Sequence, residues 1–134
     1  MRVLTTRHNA GAFNMAMLVL RLGFGILIAH HGYDKLVHFS QMENTFMNFM
    51  GLGSKISLSL VIFAEFFCGL LVIFGLFTRL ACIPLLLAMG VAFFKVMNSD
   101  AFGHGEASLL YEVAFLAILF AGPGRFSIDG IISK

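Results

Sequence analysis

Five side chains that can carry a charge or a proton lie within or beside long apolar stretches, and they are Arg21, His31, Lys35, Glu65 and Glu112. In a bilayer such residues usually face the interior of a helix bundle and pair, because a charge there costs about 2.5–3.5 kcal/mol on insertion scales. Carboxyl, imidazole and amine groups in an apolar setting can also give and take protons. We therefore predict a proton-linked or headgroup-binding site, formed by these residues in the outer half of a bundle.

Helical spacing indicates how these residues meet. Arg21 and Lys35 fall on one face of the first apolar segment, and His31 lies about a quarter turn from that face. Counted from the ends of their segments, Arg21 and Glu65 reach similar depths near the bilayer midplane, which predicts an Arg21–Glu65 ion pair. The remaining members of the cluster, nearer the outer surface, are Lys95, His104 and Glu106. An alternative interpretation is structural: the ion pair fixes the helix register, and the lysines extend to the headgroups.

Neither a metal site nor a disulfide is predicted. The histidines show no spacing typical of a metal site, such as HxxH or HExxH. Cys68 and Cys82 do not form a CxxC pair, and their positions in the second and third apolar segments place them about 10 Å apart along the membrane normal. A disulfide requires Cα atoms within about 7 Å. We interpret both cysteines as small buried hydrophobic residues.

The composition is that of a membrane protein. Hydrophobic residues make up 59% of the 134 positions and charged residues 12%, against about 25% charged residues in soluble domains. The mean hydropathy is +0.92, and so much apolar surface needs lipid to cover it. The net charge is +2, and the sequence contains no block of basic residues. We therefore predict no nucleic-acid partner.

Four apolar segments lie at about 13–36, 56–77, 80–97 and 107–121. They predict an all-α membrane protein whose single domain, residues 1–134, is a four-transmembrane-helix bundle. The 37–55 connection mixes polar residues with Phe and Met, which predicts a short amphipathic segment in the outer interface between helices 1 and 2. The first segment is longer than the apolar region of a signal peptide, and we expect it to be retained as a helix.

Basic residues predict the orientation of the bundle. With both termini in the cytoplasm, the inner side holds Arg2, Arg7, Arg79, Arg125 and Lys134. The outer side then holds Lys35, Lys55 and Lys95. Short cytoplasmic loops carry the excess of Lys and Arg in membrane proteins. We therefore predict a multi-pass protein with both termini cytoplasmic.

Five short motifs follow one another along the chain. The first segment contains LRLGFG at 20–25 and HGYDKL at 31–36, and the second contains AEFFCGLL at 64–71. FGLFTRLA follows at 74–81, and GPGRFSID closes the pattern at 122–129. Together these motifs resemble those of the DoxX family, and the resemblance covers the chain from about residue 16 to residue 129. One mild departure is Cys68, where the family often has a second Gly after the Glu of helix 2.

The resemblance implies a four-helix protein of the bacterial inner membrane whose matching polar positions are Arg21, His31, Lys35 and Glu65. Relatives of this family include membrane subunits of a thiosulfate:quinone oxidoreductase, which implies a membrane subunit of a quinone-linked redox complex. The chain carries no flavin, haem, iron–sulfur or dithiol motif, so electrons would come from a redox partner protein.

Two other functions stay open at this point. Distant relatives act as membrane chaperones or cargo receptors, which supports a non-catalytic membrane adaptor or chaperone. A small carrier is the third hypothesis. It would require a homo-oligomer, because four helices without an inverted repeat do not resemble a monomeric transporter.

Overall fold

The computed structural model describes residues 6–7, 9–46, 51–96, 103 and 105–132, with the side chains of residues 95 and 96 left out. Its α-helices are α1 Ala10–Val37, α2 Phe39–Met42, α3 Ser54–Ile62, α4 Gly69–Phe74, α5 Thr78–Val91, α6 Glu106–Ala121 and α7 Ile128–Ile132. A π-helical segment, Phe63–Cys68, joins α3 to α4, and a second one, Ala92–Val96, continues α5. The three elements α3, Phe63–Cys68 and α4 form one continuous helix, Ser54–Phe74, called here the central helix.

Two of these helices are long and apolar enough to cross a membrane. The mean hydropathy of the most apolar stretch of 18 residues is 1.9 in α1 and 2.5 in the central helix, whereas the apolar helix Thr78–Phe94 is shorter. Large apolar side chains point outward: Val19 is 62% exposed, Leu87 67% and Phe120 77%. Lipid is the environment that matches such a surface. The all-α class is confirmed across the described ranges, and the number of spanning helices stays a prediction.

Glycines set the register between α1 and the central helix. A Cβ on Gly32 would lie 2.8 Å from the Cα of Phe66, and a Cβ on Gly25 would lie 2.8 Å from Cγ1 of Ile73. Residues 25 and 73 therefore face each other in the same antiparallel register as residues 32 and 66. The helices approach closely at Gly25 and Gly32, whereas Gly23 has no atom within 4 Å of its Cβ direction.

The core lies where α1 and the central helix meet α5 and α6. It includes Val72, Leu85, Phe115 and Ile118, all fully buried. Cys68 and Cys82 belong to the same cluster, and both are free thiols. The interpretation of the cysteines as buried hydrophobic residues is therefore confirmed.

Two connections differ in detail from the sequence prediction. The central helix ends at Phe74, where Gly75 takes the left-handed conformation with φ 70°, and α5 begins at Thr78. The break therefore comes before Thr78, not at residues 78–79 as predicted. In the 37–55 connection the structure contains only the single turn α2, and residues 47–50 lie outside the described residues.

Candidate functional site

An ion pair links α1 to the central helix. Nζ of Lys35 lies 2.7 Å from Oε1 of Glu65 and donates a hydrogen bond to it. The Glu65 side chain is 4% exposed, whereas the Lys35 side chain is 23% exposed. The carboxylate is thus enclosed by the bundle, and the ammonium group connects it to the surface near the C-terminal end of α1.

The predicted Arg21–Glu65 pair is wrong, and the helix register explains why. The contacts of Gly25 and Gly32 place Glu65 level with residue 33 of α1. That position is twelve residues from Arg21, or about 18 Å along the helix axis. The prediction counted residues inward from the ends of the two apolar segments, and it assumed that both segments begin at matching depths in the membrane. The glycine contacts fix a different relative depth, which brings Lys35 to the carboxylate.

Glu65 lies in the π-helical segment Phe63–Cys68. A π-helical turn contains an additional residue, and such turns are frequent at functional sites. Within this segment Ala64, Glu65 and Cys68 are buried. Phe63 and Phe67 face outward, each just over half exposed, and their rings stack at 5.5 Å. The wide turn therefore directs the carboxyl group inward and two aromatic rings toward the surroundings.

A cavity of about 270 Å³ opens beside the ion pair and is called here the polar cavity. Its polar walls are His31, Lys35, Glu65, Ser108 and Tyr111, and its apolar walls include Ile28, Phe46, Val61, Ala88 and Val91. The arrangement places an acid, an ammonium group, an imidazole and two hydroxyl groups around one small volume. Such a set of groups can donate hydrogen bonds to a ligand, accept them from it, and exchange protons with it.

Tyr111 and Ser108 are polar members of this cavity that were not among the predicted site residues, and Tyr111 is the larger of the two. The Tyr111 side chain is enclosed by aromatic neighbours. It is 7% exposed, and its ring meets the His31 ring edge-to-face at 5.9 Å and stacks on Phe115 at 6.1 Å. Its phenol also interacts electrostatically with Glu65. The signal was present in the sequence, because Ser108 and Tyr111 are three residues apart and share one face of α6.

The structure brings together three of the predicted site residues and separates the other two. His31, Lys35 and Glu65 line the polar cavity. Glu112 lies beside α5, where a Cβ on Gly90 would be 3.4 Å from its Oε2, and it is not among the residues that line the cavity. This Oε2 is buried without a hydrogen-bond partner in the described structure.

Of the three other predicted members of the cluster, one lies apart from the polar cavity and two lie outside the described part of the structure. Glu106 is exposed in the first turn of α6. The Lys95 side chain and His104 lie outside the described residues.

Arg21 belongs to a second polar cluster, at the opposite end of the bundle. Its side chain is 1% exposed and donates to the carbonyl oxygens of Val72 at 3.3 Å and Ile73 at 3.2 Å, and also to that of Phe126. Val72 and Ile73 lie in the last turn of α4, where the negative end of the helix dipole favours a nearby cation. Arg21 therefore ties the end of the central helix to the C-terminal segment.

Asp129 completes this second cluster. Its carboxylate accepts hydrogen bonds of 2.9 Å from the backbone N–H groups of both Phe77 and Thr78, so it caps the N-terminus of α5. Burial acts to raise the pKa of Asp129. These hydrogen bonds, together with the charge of Arg21, outweigh burial and lower the pKa below its ordinary value. Sequence analysis included Asp129 only as the end of a motif.

The two ends of the described chain meet at this cluster. The backbone N–H of Arg125 donates to Oδ1 of Asn14 at 2.9 Å. A Cβ on Gly124 would lie 3.1 Å from Cβ of Met17. The start of α1 and the segment after α6 therefore lie at the same end of the bundle.

Within the described ranges, no three His, Cys, Asp or Glu residues are grouped as metal ligands.

Apolar helices with outward-facing aliphatic and aromatic side chains, closed around an internal ion pair, define a helical membrane protein. The DoxX family model matches residues 16–98, and the chain belongs to the DoxX family. The resemblance noted in the sequence is thereby confirmed.

Two relatives are similar to this chain over most of their length. Inner membrane protein YqjF of Escherichia coli (strain K12) is 29% identical over 131 residues, covering 90% of this chain and 95% of the relative. The uncharacterized membrane protein Rv3486 of Mycobacterium tuberculosis (strain ATCC 25618 / H37Rv) is 29% identical over 136 residues, covering 89% of this chain and 82% of the relative. No solved structure matches the chain.

Proposed function

We propose that this protein binds a quinone in the polar cavity and acts as a membrane subunit of a redox complex. The observation that carries the proposal is the Lys35–Glu65 ion pair, which lines a cavity within an apolar bundle. Intramembrane ionisable residues are functional candidates by default. The cavity volume of about 270 Å³ is near the lower end of the range for small-molecule sites, a size that suits a single substituted ring.

The cavity walls supply the contacts that a quinone ring needs. Each quinone carbonyl accepts a hydrogen bond, and Lys35, Tyr111 and Ser108 can donate one. Each quinol hydroxyl donates a hydrogen bond, and the Glu65 carboxylate can accept it. Reduction takes up one proton at each carbonyl oxygen together with an equal number of electrons. Glu65 transfers these protons at the ring, and Lys35 and His31 connect Glu65 to the surface.

The electrons in this proposal come from a partner protein that carries its own redox group. The sequence has no flavin, haem, iron–sulfur or dithiol motif, and Cys68 and Cys82 are buried in the core. A quinone in a membrane subunit would therefore be reduced by a partner that docks at the membrane surface. The protein contributes the binding site and the proton route.

We further propose four membrane crossings in the inner membrane, with both termini cytoplasmic. The contact between Arg125 and Asn14 supports an even number of crossings, because it joins the segment after α6 to the start of α1. Arg79 and Arg125 lie at this same end, which favours the cytoplasmic side. Labelling of single cysteines with an impermeant maleimide tests this topology. A cysteine at Ser40 should react from outside the cell, and a cysteine at Arg125 should not.

The experiment that tests the function is mass spectrometry of what co-purifies with the protein after gentle extraction from its native membrane. Wild type is compared with Glu65→Gln. Glu112→Gln is the matched control, because it neutralises another carboxyl group in an apolar helix but outside the polar cavity. We expect a quinone with wild type and with Glu112→Gln, and strongly reduced quinone with Glu65→Gln.

The opposite results favour the other functions. If only proteins co-purify and Glu65→Gln does not change them, the quinone proposal fails and a membrane adaptor becomes the better hypothesis. If Glu112→Gln removes the quinone as effectively as Glu65→Gln, the site is not the polar cavity. Solute flux in liposomes without bound quinone would favour a carrier.

A further inference from the structure

An apolar groove lies next to the polar cavity. Its volume is about 310 Å³, and it is lined by Phe46, Ser57, Leu60, Val61, Phe63, Ala64, Pro84, Leu87, Ala88 and Val91. The groove runs between the central helix and α5. Among the described residues of this lining, the polar side chain is that of Ser57, and its hydroxyl already donates to the carbonyl of Gly53 at 2.7 Å. The groove therefore offers contact to hydrocarbon and little else.

The groove and the polar cavity share part of their walls. Phe46, Val61, Ala88 and Val91 line both volumes. The shared wall includes the small side chain of Ala88, and the groove continues along Ala64 and Pro84 of the facing helices. Pro84 presents a compact ring in place of a long side chain. The polar cavity and the groove therefore adjoin each other at Ala88.

The far side of the groove faces the surroundings of the bundle. Leu60 is 48% exposed, Phe63 51% and Leu87 67%. In a membrane protein these residues contact lipid chains, so the groove opens sideways into the hydrocarbon region. A hydrophobic tail would gain little from leaving lipid for protein. The groove therefore acts through shape, by holding a tail in one direction and orienting the head to which it is attached.

We infer that the site takes a single-tailed amphiphile, with a polar ring in the polar cavity and an alkyl or isoprenoid tail in the groove between the central helix and α5. The inference rests on the proposed function for the ring, and it adds the tail as a part of what is recognised. It follows from the shared wall and from the contrast between the two linings. The ligand enters laterally from the membrane, head first, between these two helices.

Binding of two probes to the purified full-length protein in lipid nanodiscs tests the inference. One probe is a benzoquinone with a decyl chain, and the other has the same ring without the chain. Leu60→Trp fills the groove from the lipid side, and Leu60 does not line the polar cavity. Leu110→Trp is the matched control, because Leu110 is 56% exposed on α6 and lines neither volume.

We expect Leu60→Trp to weaken binding of the decyl probe about tenfold, the scale of an overpacked contact, and to leave the tail-less probe unchanged. Leu110→Trp should change neither affinity. The groove is excluded as a tail site if Leu60→Trp weakens both probes equally or neither. If wild type binds both probes and Leu60→Trp does not discriminate between them, the groove inference alone fails. If neither probe binds wild type, both the groove inference and the proposed function fail.

Discussion

Gly32 and Phe66 are in direct backbone contact, and this contact positions the site. A Cβ at residue 32 would lie 2.8 Å from both Cα and Cβ of Phe66, closer than real Cβ atoms approach other atoms. Phe66 directly follows Glu65, and Lys35 lies three residues beyond Gly32 on α1. The absence of a side chain at residue 32 therefore lets α1 approach the π-helical segment closely enough for Lys35 to reach the carboxylate.

Gly32→Ala should destabilise the protein, although alanine is the better helix former. The helix preference favours alanine by about 0.8–1.0 kcal/mol. The clash with the Phe66 backbone opposes it and costs about 1–3 kcal/mol, as overpacking does. Gly23→Ala is the matched control, because nothing lies within 4 Å of its Cβ direction. Thermal unfolding in detergent should show a lower Tm for Gly32→Ala and an equal or higher Tm for Gly23→Ala. Equal shifts for both variants would contradict the contact.

Lys35→Met and Glu65→Gln should destabilise the protein unequally. Lys35→Met leaves a carboxylate that is only 4% exposed without its partner, and breaking a buried ion pair costs about 3–5 kcal/mol. Glu65→Gln leaves a lysine that is 23% exposed, whose long side chain can reach the headgroups. We expect a smaller loss there, about 1 kcal/mol, typical of one hydrogen bond.

The double variant completes this comparison. Lys35→Met combined with Glu65→Gln removes both charges, so it should be more stable than Lys35→Met alone. Unfolding free energies of the four proteins give the coupling directly. A double variant as unstable as the sum of the two single variants would show that the ion pair contributes no coupling energy.

The sequence was sufficient for the class of protein and for three members of the site. Its apolar segments predict the helices to within a few residues, because lipid exposure requires long apolar runs. His31, Lys35 and Glu65 stand out for a related reason, since charge in such runs needs a partner. The number of membrane crossings stays a prediction, because neither the sequence nor the structure tests it.

The choice of partner for Glu65 could not be predicted from the sequence. It depends on the relative depth of two helices, which backbone contacts at Gly25 and Gly32 fix to within one residue. It also depends on the π-helical segment Phe63–Cys68, which changes which side chains face inward. Neither the relative depth of the helices nor the π-helical segment can be recognised from residue types alone. The role of Asp129 is similar, because a cap supplied by a residue about fifty positions away is visible only after folding.

Arg21→Lys should destabilise the protein even though the charge is kept. The guanidinium reaches the carbonyl groups of Val72, Ile73 and Phe126 together, and the single ammonium group of lysine cannot reproduce that geometry. Each hydrogen bond to a charged group contributes about 1.5–3 kcal/mol, so we expect a loss of that order. Protease cleavage after Arg125 should also become faster, because the C-terminal segment is released from the end of the central helix.

The same substitution tests the separation of the two clusters. Combined with Glu65→Gln, Arg21→Lys should give an additive loss, within about 0.3–0.5 kcal/mol, as expected for sites that share no contact. A combined loss clearly smaller than the sum of the two single losses would instead support the Arg21–Glu65 pair that the sequence suggested and the structure does not contain.

Asp129→Asn should destabilise the protein at neutral pH and make little difference in acid. The folded state holds the pKa of Asp129 below its ordinary value of 3.8. The stabilisation from the charged carboxylate is therefore complete above that ordinary value and is lost as the pH falls through the lowered folded pKa. Loss of a helix cap costs about 0.5–2 kcal/mol, and we expect the lower half of that range because asparagine keeps one acceptor oxygen.

The measurement is Tm in detergent as a function of pH for wild type, Asp129→Asn and the control Asp34→Asn. Asp34 has a side chain that is 65% exposed, and its carboxylate lies 3.5 Å from Nδ1 of His38, the residue that follows α1. Surface changes of this kind usually stay within about 0.5 kcal/mol, so the control should follow wild type. The difference between wild type and Asp129→Asn should be largest at neutral pH and should narrow progressively as the pH falls below about 4. A difference that persists unchanged in acid would show that the Asp129 carboxylate does not stabilise the start of α5 through its charge.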